Sequence, residues 1–537
     1  MKAKVIRIDA KDNVAVALTP LAKGDVIDLS GISYVILESI NEKHKVALVD
    51  FNPGDVVRMY GFEVGRASKP ISKGGLLHTE NVKHSKGNAQ INNLNYEWSS
   101  PNLDYWQSKT FLGYHRPDGQ VGTANIWLFF PLVFCENRNI TKLQEIFETE
   151  LGISQQSKHR NYLRNLVDGQ PLETPKANSQ TQSVFPNVTL RFITHQGGCG
   201  GTREDAQLLA KLLAGYVNNP NVAGATVLSL GCQNLQIDIF KKALEAINPT
   251  NQKPVHILDQ QQLGTTDKLM EEAISKTYKS LAEANAIERK PAPLSKLTLG
   301  LECGGSDGFS GISANPVLGR VSDILVGLKG RAMLAEFPEL CGVEQELVDR
   351  CIDKKTAQRF LELMEAFETA AINAGSGFDM NPSPGNIKDG LITDAMKSAG
   401  AAKKGGSAPI SGVLDYTEYC RDEGLHLLCT PGNDVESTTA LAGSGSNLIV
   451  FTTGLGTPTG NPIAPVVKLS SNNTLTAKME DIIDFDAGGV ITGKESLEDT
   501  ANRLLTFIID VASGRIQTKA DKNQQFDFIP WKRGVSL

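Results

Sequence analysis

The sequence predicts an α/β protein in which a small N-terminal β-rich domain precedes two α/β domains with largely parallel sheets. Three observations predict this. Short alternating runs, broken by Gly, Pro and Asp turns, fill residues 1–95. From Phe111 onward, apolar runs that end in Gly-rich loops alternate with stretches of helical period, the pattern of a parallel sheet with crossover helices. At 537 residues the chain is also too long for a single core.

In the first domain, Val5–Ile8, Val14–Leu18, Ser33–Leu37 and Lys45–Val49 read as strands, with turns such as Asn52-Pro53-Gly54-Asp55 between them. A polar, Asn-rich stretch (86–110) follows, and its second part, 96–110, is read as the linker. The second domain, 111–291, opens with a turn from Gly113 to Asn125 that leads into the apolar strand Ile126–Phe134. Strands at Val188–Thr194, Ala225–Leu230 and Val255–Leu258 then alternate with helices around Leu208–Leu213, around Ile237–Ile247 and up to Ala286. The third domain, 292–537, has strands at Ala332–Ala335, Leu425–Cys429 and Leu448–Thr452 and one long helix at 343–374. Asn381–Gly390 reads as a loop that cannot be helical, and the charged tail past Thr518 as peripheral.

Composition narrows the function. A net charge of −6 argues against a general nucleic-acid binder. No apolar run reaches the 18 residues of a membrane span. The N-terminus alternates like a strand and does not read as a signal peptide. Eight scattered cysteines without a CxxC pair suit reduced thiols, hence an expected cytoplasmic location.

The richest stretch is Leu299–Pro316, where a strand breaks into a loop carrying Cys303, Ser306, Asp307, Ser310, Ser313 and Asn315 among glycines. Glycine lets backbone approach a ligand closely, and a thiol, a carboxylate and hydroxyls beyond a strand end suit a polar, hydroxylated ligand. Gly198-Cys199-Gly200 and Gly231-Cys232 have the same build as Cys303-Gly304-Gly305. Ligands of parallel sheets sit outside the carboxyl ends of strands, so these three thiols could meet at a soft metal or an iron–sulfur site. Equally, they could pack as small hydrophobes. Cys135, Cys341, Cys351, Cys420 and Cys429 read as structural. His78 and Glu80, two residues apart, offer a ring nitrogen and a carboxylate that one metal can share. The Gly-rich loops lack the Gly-Lys-Thr/Ser ending of a phosphate loop, and no G-x-G-x-x-G or G-x-S-x-G stands in the required context.

These motifs resemble those of the altronate/galactarate dehydratase family. The resemblance is carried by Gly113-Tyr114 with Asp118-Gly119 and Val121-Gly122, by Cys303–Gly311, by Asn381-Pro382-Ser383-Pro384-Gly385-Asn386 and by Phe451-Thr452-Thr453-Gly454. It spans nearly the whole chain and implies an N-terminal SAF-like domain ahead of Rossmann-like sheets. Two loops, Asn-Pro-Ser-Pro-Gly-Asn and Pro431-Gly432-Asn433-Asp434, look closer to the altronate branch. The chain departs from the family pattern at Glu80, where a histidine is common, and at Gln233, where a glutamate is common.

The resemblance implies a hydro-lyase dependent on a divalent metal, Fe(2+) or alternatively Mn(2+); the three strand-end thiols leave an iron–sulfur cluster as the other option. The expected reaction is dehydration of D-altronate to 2-dehydro-3-deoxy-D-gluconate, with galactarate dehydration or non-catalytic sugar-acid binding as alternatives. The expected catalytic residues are His195 as base, Asp307, and Lys388 against the substrate carboxylate. Cys199, Cys303, Ser306, Ser310, Asn386, Asn433 and Thr453 are the expected substrate contacts, and His78, Glu80 and His44 the expected metal ligands. The expected partner is a small sugar acid, without nucleic acid or membrane, in a homo-oligomer.

Overall fold

A computed structural model of the chain describes residues 3–85, 89–92, 94–153, 158–169 and 183–536. Among them, the N-terminal domain holds β1 (Val5–Ile6), β2 (Val14–Ala17), β3 (Val26–Leu29), β4 (Ile32–Val35), β5 (Lys45–Ala47), β6 (Val56–Met59), β7 (Phe62–Ala67), β8 (Leu76–Leu77) and β9 (Val82–Lys83). They form small antiparallel sheets ordered β1-β2-β5-β8, β3-β4 and β6-β7-β9. The Asn52–Asp55 turn closes because Gly54 takes φ +96° and the Asp55 carboxylate accepts the Asn52 N–H at 2.7 Å. All four residues of β2 are buried, on two different cores. Ala15 and Ala17 pack inside the domain, whereas Val14 and Val16 join an apolar cluster that continues into the third domain. Side chains alternate across a strand, so one short strand both builds this domain and docks it.

The segment after β9 lies along the third domain. The Tyr96 hydroxyl donates to the Ser407 carbonyl at 2.7 Å, Trp98 Nε1 reaches Ser407 Oγ, and Trp106 is buried. Residues 86–88 and 93 of the expected linking stretch lie outside the described residues.

In the second domain, β10 (Thr110–His115) pairs antiparallel with β11 (Val121–Gly122) and with β16 (Lys290–Pro293). The parallel sheet runs β13 (Thr189–Phe192), β12 (Ile126–Pro131), β14 (Val222–Ser229), β15 (Val255–Asp259). Trp127 and Phe129 face one core of β12, and Ile126, Leu128 and Phe130 face the other. The second of these cores also contains Met333, Leu428, Ile449 and Phe451 of the third domain. The helix Arg203–Asn218 is shared between the two sheets. It meets the helix Asp434–Gly443 so closely that a Cβ on Gly215 would lie 2.0 Å from the Gly443 carbonyl oxygen.

The third domain is a seven-stranded parallel sheet in the order β19 (Ile410–Leu414), β20 (Gly424–Leu428), β18 (Arg331–Leu334), β17 (Thr298–Cys303), β21 (Leu448–Thr453), β22 (Val466–Ser470), β23 (Phe485–Asp486). The chain builds from β17 toward one edge, then returns to the other side of β17 at β21. The crevice between the carboxyl ends of β17 and β21 is thus a topological switch point.

Three expectations are corrected here. The stretch 343–374 forms two helices, Glu344–Asp349 and Lys354–Asn373, because Cys351 pairs with Ile410 and Asp353 caps the second helix by accepting the Thr356 N–H at 2.7 Å. Pro384–Lys388 is a short helix, since Ser383 caps it and Pro384 stands at the first position, where a missing N–H costs nothing. The tail is not peripheral: Trp531 stacks on Phe367, Ser536 bridges to Gly201, and Asp205 accepts the Arg533 and Gly534 N–H groups at 3.0 Å. No described helix is long and apolar enough to cross a membrane.

Candidate active site

Cys303 ends β17, fully buried. Two residues beyond β18 the chain turns sharply at Glu336, a non-glycine residue at φ +70° whose N–H donates to Thr430 Oγ1 at 2.8 Å. Left-handed backbone at a carboxylate is strained and persists where surroundings enforce it, commonly at functional sites. The short helical turn Phe337–Leu340 then brings in Glu339. Cys303 Sγ lies 3.2 Å from Glu336 Oε2 and 3.0 Å from Glu339 Oε2. The helix Asp394–Ala402 and the turn after it supply two ammoniums. Lys397 Nζ meets Glu339 Oε1 at 2.6 Å, and Lys404 Nζ meets Glu336 Oε2 at 3.0 Å and Cys303 Sγ at 2.6 Å.

The electrostatics follow from burial. Burial, with Glu336 and Glu339 nearby, pushes the Cys303 thiol up, so it stays protonated and donates to the carboxylates. Burial also opposes the Lys404 charge, but Cys303, Glu336 and Glu339 outweigh it and hold the ammonium. At Glu339, burial is overcome by Lys397 and Lys404, which hold the carboxyl ionised. Behind them Glu302 is pushed up by burial and by Glu336, and its Oε2 accepts from Ser437 Oγ at 2.5 Å. Asp434, at the start of the helix Asp434–Gly443, completes the group. Burial, then the Glu336 and Glu339 charges, push its carboxyl up to about 7. It lies against the Cys303 loop, where a Cβ on Gly304 would stand 2.2 Å from Asp434 Oδ2. A carboxyl that titrates near neutrality, beside an ammonium and at a strand-end crevice, can move a proton to and from a bound substrate.

The N-terminal domain docks beside this cluster. Lys43 Nζ reaches Asp307 Oδ2 at 3.0 Å and Asp389 Oδ1 at 3.1 Å, and Lys45 Nζ donates to the Gly390 carbonyl at 2.5 Å. Asp307 is fully buried and also accepts from Phe309 N, Ser310 Oγ, Ser471 Oγ and Asn472 Nδ2. Asp307, one of the expected catalytic residues, thus has both carboxylate oxygens engaged.

Two groups of described residues have the donor atoms to share a metal ion, Cys303–Glu336–Glu339 and His84–Cys341–Asp394. In the first, Lys404 and Lys397 already neutralise the carboxylates, and the Lys404 ammonium stands against the thiol where a cation would bind. The second fits better. His84 Nδ1 touches Asp394 Oδ1, and Asp394 Oδ2 is buried without a hydrogen-bond partner among the described residues. One imidazole, one thiol and one carboxylate form a mixed set suited to a transition metal. Cys341, expected to be structural, belongs to this group. His84 comes from the N-terminal domain and the other two from the third.

The remaining candidates scatter. His78 Nδ1 accepts the Glu80 N–H at 3.2 Å, Glu80 is exposed, and His44 Nε2 bonds the Lys388 carbonyl at 3.1 Å. The structure does not gather these three into a metal-binding group. Lys388 itself is exposed. Asn386 is spent on the Ser383 cap and the Ser306 carbonyl, Ser310 on Asp307, Asn433 on capping the helix at Asp434, and Thr453 Oγ1 on the Gly456 N–H. His195 and Cys199 sit in the second domain, at the edge of a separate cavity of about 570 Å³. His195 Nε2 donates to the Pro131 carbonyl at 2.8 Å and Nδ1 accepts the Gly197 N–H at 3.1 Å. Burial pushes the imidazole down to about 4. With both nitrogens engaged it pins two loops and has no free position for a substrate proton. Of the expected site residues, only Cys303 lies in the charged cluster. Glu336, Glu339, Lys397 and Lys404 of that cluster, and His84 and Asp394 of the second group, were not among the expected residues. The one local signal was Glu336-Phe337-Pro338-Glu339 after a strand, two carboxylates that a helical turn must aim to the same side.

A SAF-type domain docked on a parallel α/β unit, with a buried acid–lysine cluster at the switch point, defines a hydro-lyase of the sugar-acid type when set beside known proteins. The SAF domain of altronate/galactarate dehydratases matches residues 3–85, the second domain of D-galactarate dehydratase/altronate hydrolase matches 113–285, and the C-terminal D-galactarate/altronate dehydratase domain matches 294–536. The chain is 33% identical to an altronate dehydratase of Bacillus subtilis over 532 residues, 99% of each chain. It is 34% identical to one of Escherichia coli over 533 residues, again 99% of each, and 29% identical over 523 residues to the Escherichia coli galactarate dehydratase, covering 96% and 94%. The chain belongs to the altronate/galactarate dehydratase family.

Proposed function

We propose that the chain dehydrates D-altronate to 2-dehydro-3-deoxy-D-gluconate. The two altronate dehydratases match it more closely, and over more of its length, than the galactarate dehydratase does. The observation that carries the chemistry is Asp434, a carboxyl near pKa 7 beside Lys397 at the carboxyl end of the sheet. Asp434, ionised, takes the C2 proton and returns it to the departing C3 hydroxyl, after which the enol tautomerises to the keto acid. The Glu336–Lys404–Cys303 network holds these groups in place and keeps the crevice charge-balanced. His84, Cys341 and Asp394 are proposed to hold a divalent ion, ferrous iron as the family resemblance implies. When bound, it supplies Lewis acidity for the charge that develops on the substrate carboxylate.

The test is anaerobic turnover with D-altronate and with galactarate, each with and without ferrous iron, reading 2-keto acid. Keto acid from altronate alone, dependent on iron and lost in Asp434→Asn, is the expected result. Product from galactarate alone would overturn the substrate, since a hexarate needs a second cation for its second carboxylate. Full turnover by Asp434→Asn would overturn its role.

A further inference from the structure

We propose that the second domain carries its own iron–sulfur cluster site, made by Cys135, Cys199 and Cys232. The site stands apart from the charged cluster of the third domain and does not rest on the function proposed above.

All three thiols are exposed, whereas the other five cysteines are buried. Each sits in the loop that leaves the carboxyl end of a strand: Cys135 in the loop after β12, Cys199 in the longer loop after β13 and Cys232 in the loop after β14. These strands are neighbours in one parallel sheet, in the order β13-β12-β14. Neighbouring strands run about 4.8 Å apart, so the three strand ends span about 10 Å. Sequence pattern alone grouped Cys199 and Cys232 with Cys303. The structure puts Cys303 in another sheet, and Cys135 takes its place.

The loops that carry the thiols are tied to one another. Phe134 N donates to the Gly197 carbonyl at 3.1 Å, and Leu235 N to the Gly198 carbonyl at 3.0 Å. Asn137 Nδ2 donates to the His195 carbonyl at 2.8 Å, and Asn234 Nδ2 to the Gly201 carbonyl at 3.4 Å. His195 binds the Pro131 carbonyl and the Gly197 N–H, and so locks the β12 and β13 loops together. Gly198 takes φ +93°, and a Cβ there would stand 2.0 Å from the Leu132 carbonyl oxygen. Gln233 closes the third loop on itself: its Oε1 accepts the Gly231 N–H at 2.7 Å and its Nε2 donates to Ser229 Oγ at 2.7 Å. Three loops bonded to one another, each carrying an exposed thiol, thus leave the carboxyl ends of three adjacent strands.

Thiolate ligands suit iron and iron–sulfur clusters. The three sulfurs do not gather within the 4.8 Å of one another that a single ion's ligands require. A cluster places irons and sulfides between its thiolates and bridges a wider triangle. Three protein thiolates leave one iron of a four-iron cluster without a cysteine, and the polar cavity that Cys199 borders, about 570 Å³ and lined also by Asn137, Thr202, Asn234 and Lys532, gives a non-thiolate ligand room. Loading is ligand exchange without redox change. Each cysteine sulfur bonds one iron, and its proton leaves with the thiolate it displaces.

The experiment incubates the anaerobic full-length protein with a preformed synthetic [4Fe–4S] cluster carrying 2-mercaptoethanol ligands, removes excess cluster, and measures iron, acid-labile sulfide and visible absorption. The expected result is about four irons and four sulfides per chain, lost in each of Cys135→Ser, Cys199→Ser and Cys232→Ser and kept in Cys420→Ser, with circular dichroism confirming that every variant is folded. His84→Ala is expected to keep the sulfide, which separates this site from the ion of the third domain. Wild-type protein that retains no sulfide, or three serine variants that all retain it, would overturn the proposal. If a serine variant does not fold, the same cysteine is blocked in folded wild-type protein with iodoacetamide, located by peptide mass spectrometry, and uptake without loss of sulfide would overturn it equally.

Discussion

Lys43 of the N-terminal domain reaches the fully buried Asp307 of the third domain at 3.0 Å, across a seam between parts of the chain more than two hundred and fifty residues apart. Burial works against the lysine charge, and Asp307 and Asp389 more than restore it. The pair therefore holds one domain on the other.

Lys43→Ala leaves a buried carboxylate short of its countercharge. Breaking such a pair costs about 3 kcal/mol. The cost is expected at the docking surface, as a lower melting temperature and faster amide hydrogen exchange in β5. Unchanged exchange there would show that the apolar cluster and the Lys45–Gly390 bond hold the seam without this pair.

Lys404→Met removes the ammonium between Cys303 and Glu336. With Glu336 left buried and uncompensated, about 3 kcal/mol of stability is expected to be lost. The double variant Lys404→Met with Glu336→Gln is expected to recover part of it, because the stranded charge is gone. Denaturant unfolding of the four proteins of the cycle measures the coupling.

Asp434 sets the pH behaviour. As the base it must be ionised, so kcat/KM rises as pH increases through about 7 and then levels. Stability runs the other way. The folded carboxyl titrates above its usual 3.8, so the fold gains from its protonated form below about pH 4 and loses that contribution as pH rises through about 7. Asp434→Asn is expected to flatten both profiles, with turnover falling by about 10² or more. Gly304→Ala, whose Cβ would overlap Asp434 Oδ2, is expected to shift the kinetic limb without abolishing it.

Metal content separates the two histidine assignments. His84→Ala, Cys341→Ser and Asp394→Asn are each expected to lower bound divalent ion after dialysis, measured by elemental analysis. His78→Ala is expected to leave it unchanged, because that ring only closes its own turn onto Glu80. Equal loss in His78→Ala would reverse the assignment.

The architecture was legible because strand ends announce themselves. Alternation in the first domain and Gly-rich breaks after β13, β14, β17 and β21 located those elements within a few residues. The site was less so. Asp307, Ser310, Asn386 and Thr453 look reactive in sequence, yet polar groups in tight loops are first needed to satisfy the loop's own backbone. Glu339 pairs with Lys397 and Glu336 with Lys404, residues about sixty apart whose meeting depends on how the helix Asp394–Ala402 packs on the Phe337–Leu340 turn. Local spacing holds no record of that packing. His84 and Asp394 lie further apart still.

The position of His84 has a thermodynamic corollary. Under the proposed assignment, the ion is a bolt between two domains, since one of its ligands belongs to the first and two to the third. Ion affinity and interdomain closure are then a single linked equilibrium. Whatever pries the domains apart must weaken retention of the ion, and whatever strips the ion must loosen the domains by the same factor.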